Sequence, residues 1–239
     1  MNKELQGSLY YLFSNLRFSL FVFWGVLMGV LAISLISVFL IEDSHVSFNM
    51  AFPIYVFSGI FGYWIVKNAI PYLIKMGVTR KVIFVAIGIF GICLGLINSL
   101  ISNVVDQIVS WISASNVLNS SLSISVDGKE QFINHLGQLV SNDGWLARIV
   151  IDTSISFFLF GCLFIGGLIF YKFGVVGGLA SFVVGFLFFL YAGNAGWLET
   201  FVTFVIEHFD MMFFYQLFGV GVLVYLISYF FLRRLTLRG

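Results

Sequence analysis

Charge is the scarcest commodity in this sequence. Lys, Arg, Asp and Glu together make up 10% of its 239 residues, against roughly 25% in an ordinary soluble domain, so water is not the chain's main solvent. The formal net charge is only +1, which gives no global field to draw in nucleic acid or an acidic partner. Cysteine is nearly absent: Cys93 and Cys162 each sit inside an apolar run, where Cys behaves as a small buried hydrophobe, and neither a disulfide nor a metal site is inferred from them. The three histidines, His45, His135 and His208, show no H-x-x-x-H or H-E-x-x-H spacing, so no zinc site is expected. A phosphate-cradling G-x-x-x-x-G-K-[ST] loop is also missing, because Gly128-Lys129 is followed by Glu130. Any nucleotide hydrolysis must therefore come from another polypeptide.

What the sequence has instead is apolar mass. Hydrophobic residues make up 60% and Phe alone numbers 30, with a mean hydropathy of +1.05. Crossing a bilayer's hydrocarbon core takes roughly 20 apolar residues in a helix, and six stretches meet or approach that length. They run over 18–41, 50–66, 82–102, 149–171, 175–191 and 211–232, with Phe173–Gly174 as a tight connection between the fourth and fifth. The expected fold is an all-α integral membrane protein, residues 1–239 forming a single transmembrane domain with no soluble domain appended. The first span is read as a retained anchor, since it is too long and Phe-rich for a signal peptide and no small-residue cleavage site follows it.

Orientation follows from where the positive charges fall. With the N-terminus inside, ten of the twelve Lys and Arg residues lie on the inner side: Lys3, Arg17, Lys67, Lys75, Arg80, Lys81, Lys172, Arg233, Arg234 and Arg238. Lys129 and Arg148 are left outside with most of the acids. Both termini are accordingly expected in the cytoplasm. Ahead of the first span, Leu5, Leu9, Leu12, Phe13 and Leu16 recur at helical spacing, which reads as an interfacial amphipathic helix or as an early start of the span itself. Outer-side amphipathic helices are expected before the fourth span, around Val104, Ile108, Trp111 and Ile112 and again around Phe132, Leu136, Leu139 and Val140. Another is expected before the sixth, where Trp197, Phe201 and Phe204 lie on one face and Glu207 on the other.

The inner loop between the second and third spans is the best candidate site. Pro71 breaks a helix, Tyr72, Leu73 and Met76 supply apolar surface, Gly77 can take a positive φ, and Thr79 precedes Arg80 and Lys81. Such a stretch forms a compact knob able to receive force. Within the spans, Asn98 and Asp152 stand out as polar contacts, either between helices or with a substrate; Asp152 has Arg148 four residues before it. Gly161–Gly167 and Gly174–Gly185 read as close-packing or dimerisation faces. Trp24 and Trp64 near the inner ends, with Trp111, Trp145 and Trp197 outside, read as interfacial anchors. No nucleophile and base are evident at membrane depth, so an enzyme is not expected.

The segment Lys75-Met-Gly-Val-Thr-Arg-Lys81, followed at once by an apolar span, resembles the first cytoplasmic loop of type-2 ATP-binding-cassette exporter permeases. The ending Tyr229-Phe-Phe-Leu-Arg-Arg-Leu-Thr-Leu-Arg238 is similar to the basic close of the same family. The resemblance implies a bacterial cytoplasmic-membrane exporter permease subunit, and the Phe-rich, almost charge-free composition suits an amphipathic or hydrophobic cargo such as a peptide, drug or lipid-like molecule. The resemblance also implies a separate cytoplasmic ATPase that carries the ATP and Mg, a second permease chain, identical or related, and surrounding lipid. Coupling would run through Pro71, Tyr72, Leu73, Lys75, Met76, Gly77, Val78, Thr79, Arg80 and Lys81. Two alternatives stand beside it: a substrate-binding membrane subunit of an importer, and a non-transporting membrane protein of antimicrobial-peptide sensing or resistance.

Overall fold

The computed structural model describes residues 3–40, 51–114, 124–126, 129–131, 144–197, 200, 203 and 211–233. Its membrane-sized elements are all helical. The helices are α1 (Lys3–Leu40), α2 (Ala51–Trp64), α3 (Ile70–Lys75) and α4 (Arg80–Ala114), with a five-residue π-helical turn, Ile65–Ala69, joining α2 to α3. A short antiparallel ribbon pairs β1 (Ile124–Val126) with β2 (Lys129–Gln131). Trp145–Asn194 is helical except at Gly174, whose φ of 75° and ψ of −174° divide it into α5 (Trp145–Gly174) and α6 (Val176–Asn194). The last helix is α7 (Met211–Arg233). Among the described residues five helical stretches are long and apolar enough to cross a membrane: Lys3–Ile33, Arg80–Ile108, Trp145–Gly174, Val176–Asn194 and Met211–Arg233.

The register of side-chain contacts gives each helix a direction. Phe13 meets Phe90 and Trp24 meets Asn98, so α1 and α4 run parallel. Tyr55 meets Asp152, and farther along Val66 meets Gly167, so α2 runs parallel to α5. Phe157 with Phe218 and Phe164 with Tyr225 make α5 and α7 parallel too. Between the two sets contacts invert: Ser99 reaches Ile149 while Gly91 lies against Phe160, so α4 opposes α5. Thus α1 and α4 point one way and α2, α5 and α7 the other.

The core is a Phe ladder rather than an aliphatic plug. Phe90, Phe160 and Phe164 are fully buried with Ile65, Ile87, Leu94 and Leu168. Lipid tails are as apolar as these side chains, so burial alone does not drive such helices together, and close packing and interhelical hydrogen bonds must. Glycine supplies the close approach. A Cβ on Gly62 would stand 2.5 Å from the Phe160 carbonyl oxygen, and one on Gly91 would stand 2.7 Å from the Phe160 ring. The expected packing role of Gly161 and Gly167 is met inside the chain, against Gly221 of α7 and against Val66 and Tyr63 respectively. Gly177 and Gly178 pack on Phe173 and Phe170, across the break at Gly174. The outward face is apolar, with Phe18, Phe21, Ile33, Val176 and Phe230 all exposed, as lipid contact requires.

Three expectations change here. The N-terminal segment is not a separate interfacial helix: α1 is unbroken from Lys3, and the stripe of Leu5, Leu9, Leu12, Phe13 and Leu16 packs onto the main core. Of the outer helices before the fourth span, the first is simply the continuation of α4 to Ala114. The second, around Phe132 to Val140, lies outside the described residues. Trp24 is no anchor: it is 7% exposed, and its ring N–H is committed to Asn98. Trp64 is half-buried against Phe61, while Trp145 and Trp197 are exposed.

Candidate functional site

The turn between α3 and α4 is built to be stiff. In an uninterrupted α-helix Pro71 would collide with the carbonyl four residues back. Here the π turn precedes it, the Ile70 N–H reaching five residues back to the Ile65 carbonyl, and the chain stays helical through Pro71, which occupies the first turn of α3. The break expected at Pro71 is therefore a local widening instead. The end of α3 is a Schellman closure: the Gly77 N–H donates to the Ile74 carbonyl at 3.0 Å and the Val78 N–H to the Leu73 carbonyl at 3.1 Å. Gly77 has φ 82°, the left-handed conformation this closure needs. Val78 packs on the core that holds Leu73, adding the apolar contact typical of the motif. Helix α4 then starts directly, the Ile83 N–H donating to the Thr79 carbonyl at 3.0 Å.

Side-chain placement refines the candidate list. Leu73 is 1% exposed and belongs to the core with Ile70, so it cannot be part of an outward docking surface as the sequence suggested. Pro71 and Val78 are half-buried. Met76 is 63% exposed, and Tyr72, Lys75, Gly77, Thr79 and Lys81 are exposed around it. Tyr72 is nonetheless held in place, stacked on Tyr11 of α1 at 4.3 Å between ring centroids. The Arg80 guanidinium donates to the Arg233 carbonyl at the end of α7, where a cation complements the helix dipole. Lys172 at the end of α5 lies over the rings of Phe173 and Phe231. The segment 75–81 and the start of 229–238 thus meet at one basic end of the bundle.

A second constellation lies deeper. On α4 the residues Asn98, Ser99, Ser102, Asn103 and Asp106 are all buried, a polar stripe at helical spacing. Trp24 of α1 donates through Nε1 to Asn98 Oδ1 at 3.2 Å, and Asn98 Nδ2 donates to Ser58 Oγ of α2 at 3.4 Å. Asn98 therefore ties three helices together, which is the interhelical reading. Asp152, 3% exposed, accepts the Tyr55 hydroxyl of α2 at 2.6 Å. Ser99 Oγ donates to the Ile149 carbonyl of α5 at 3.3 Å. The hydroxyls of Thr153 and Ser156 are buried with no hydrogen-bond partner among the described residues, and the Thr153 methyl and the Ser156 Cβ lie against Gly95 of α4. Tyr55, Ser58, Thr153 and Ser156 escaped the sequence reading, though the 98, 99, 102, 103, 106 spacing marked the face on which to seek partners.

Chemically this belt is a set of ties. Among the described residues no three His, Cys, Asp or Glu side chains gather as a metal site would require; His45, His135 and His208 lie outside them. Trp197 is described and packs edge-on against Tyr191, whereas Phe201, Phe204 and Glu207 of the proposed outer amphipathic helix lie outside the described residues. No protein-family model, curated protein sequence or solved structure matches this chain.

Proposed function

We propose that the chain crosses the bacterial cytoplasmic membrane six times, both termini inside, as the permease subunit of an ATP-driven exporter working with a separate ATPase and a second permease chain. The second crossing would be α2 with the π turn and α3, and its direction, opposite to α1 and α4 and parallel to α5 and α7, fits strict alternation of spans. The observation that carries the reading is the α3–α4 turn. It offers an exposed Tyr72, Lys75, Met76 and Lys81 on a backbone locked by a Schellman closure, and it is braced to α1 by Tyr11 and to α7 by Arg80. A push delivered there reaches three helices without being lost in loop motion. The apolar exterior and Phe-lined interior favour an amphipathic or hydrophobic cargo.

The test is a comparison of two aspartates. Met76→Asp places a carboxylate on the outward face, where a docked partner would bury it at a cost of several kcal/mol. It is expected to leave the permease folded and to abolish copurification of its ATPase. Leu73→Asp is expected to destroy the fold itself. Normal ATPase binding and export by Met76→Asp would remove the basis for the exporter reading.

A further inference from the structure

The first turns of α1 and α4 diverge around a cleft of about 210 Å³ lined by Leu5, Lys81, Val82 and Val85. The cleft surface is apolar throughout, Lys81 lending it only its methylene stem; Val85 is 48% exposed, and Lys81 is exposed. Leu5 of α1 lines the cleft with Lys81, Val82 and Val85 of α4, and six residues further along α1 Tyr11 is stacked on Tyr72 of α3. The cleft opens at the basic end of the bundle, near Arg80 and Arg233.

We propose that this cleft is a binding site for an anionic phospholipid, one acyl chain lying along Leu5, Val82 and Val85 and the phosphate resting on Lys81. In a bilayer an apolar hollow at the end of a span suits a lipid acyl chain. Charge selects which lipid. A lysine at the membrane surface favours an anionic headgroup, and the positive ends of the α1 and α4 dipoles point the same way. The inference rests on the chain being a membrane protein and not on the exporter reading. Because Lys81 follows Arg80 in the coupling segment, a lipid held there would brace the α3–α4 turn from its lipid side.

Native mass spectrometry on the intact chain, released from micelles equilibrated with equimolar phosphatidylglycerol and phosphatidylcholine of matched chains, reads this directly. The wild type is expected to retain one phosphatidylglycerol with about fivefold preference, the effect of one surface lysine. Lys81→Glu should erase the preference, Val85→Trp should fill the cleft and lose the adduct, and Lys75→Glu, an exposed lysine not lining the cleft, should behave as wild type. Equal retention of the two lipids by the wild type, loss of preference in Lys75→Glu to the extent seen in Lys81→Glu, or an unchanged adduct in Val85→Trp would each overturn the proposal. No ATPase enters the measurement, so its failure leaves the exporter reading standing.

Discussion

Replacing Gly77 by Ala tests the stiffness of the α3–α4 turn through a single methyl group. Among the described residues no atom lies within 4 Å of where the new Cβ would stand, so the penalty contains no clash with them. It comes only from the backbone: φ at 82° is left-handed, and an L-residue with a Cβ pays roughly 1–2 kcal/mol to stay there. Asn tolerates that conformation better, and Gly77→Asn should recover a good part of the loss. Gly7, inside α1 and also with open space around its Cβ position, is the internal control. There the same change to Ala should stabilise the protein by about 0.8–1 kcal/mol, because Ala outranks Gly in a helix interior. Equilibrium unfolding in a mild detergent, followed by tryptophan fluorescence, measures both. Opposite signs for two chemically identical substitutions are the expected result. If Gly77→Ala proved neutral, or if both variants shifted stability the same way, the Schellman closure would not be what holds the turn.

Gly62→Ala should be far worse than Gly166→Ala, because its Cβ would meet the Phe160 backbone oxygen at 2.5 Å whereas Gly166 has open space; thermal aggregation in detergent ranks them. Tyr55→Phe should destabilise by about 1–3 kcal/mol, since it deprives the buried Asp152 of a hydroxyl donor, and the same unfolding assay reads it. Asn98→Leu should cost about 1.2 kcal/mol, two interhelical bonds at an average of roughly 0.6 each in a membrane, and should shift the emission of Trp24 through loss of its ring acceptor. For topology, cysteines placed at Ser121 and Thr236 in a background lacking Cys93 and Cys162 should react with an impermeant reagent from outside and only after lysis, respectively.

Much of this architecture is legible in the sequence because the bilayer imposes coarse rules. Length and hydropathy suffice to place α1, α4, α5, α6 and α7, and the pair Phe173–Gly174 marks the break now seen at Gly174. Gly77 announces a left-handed closure for the same reason: few residues other than glycine adopt it readily. What hydropathy cannot say is which side of an apolar helix meets protein and which meets lipid. Leu73 and Met76 are both apolar and three residues apart, yet one is core and the other exposed. Trp24 reads as an anchor on position alone; its burial with Leu27, Ile54 and Val105 and its bond to Asn98 come from helices that only the fold brings together. The π turn is equally hidden, because Pro71 signals a disturbance without saying whether the helix stops or widens.

One residue of irregular backbone separates α5 from α6, and this bears on how the protein is made. A connection so short has no room for a loop that could be translocated or retained on its own account. If both helices cross the bilayer, as proposed, they would enter it as a hairpin, with Lys172 beside the bend as the charge that would hold the bend on its own side. The direction of α6, which makes little use of the rest of the bundle, would then be inherited from α5 at the moment of insertion rather than chosen afterwards by folding.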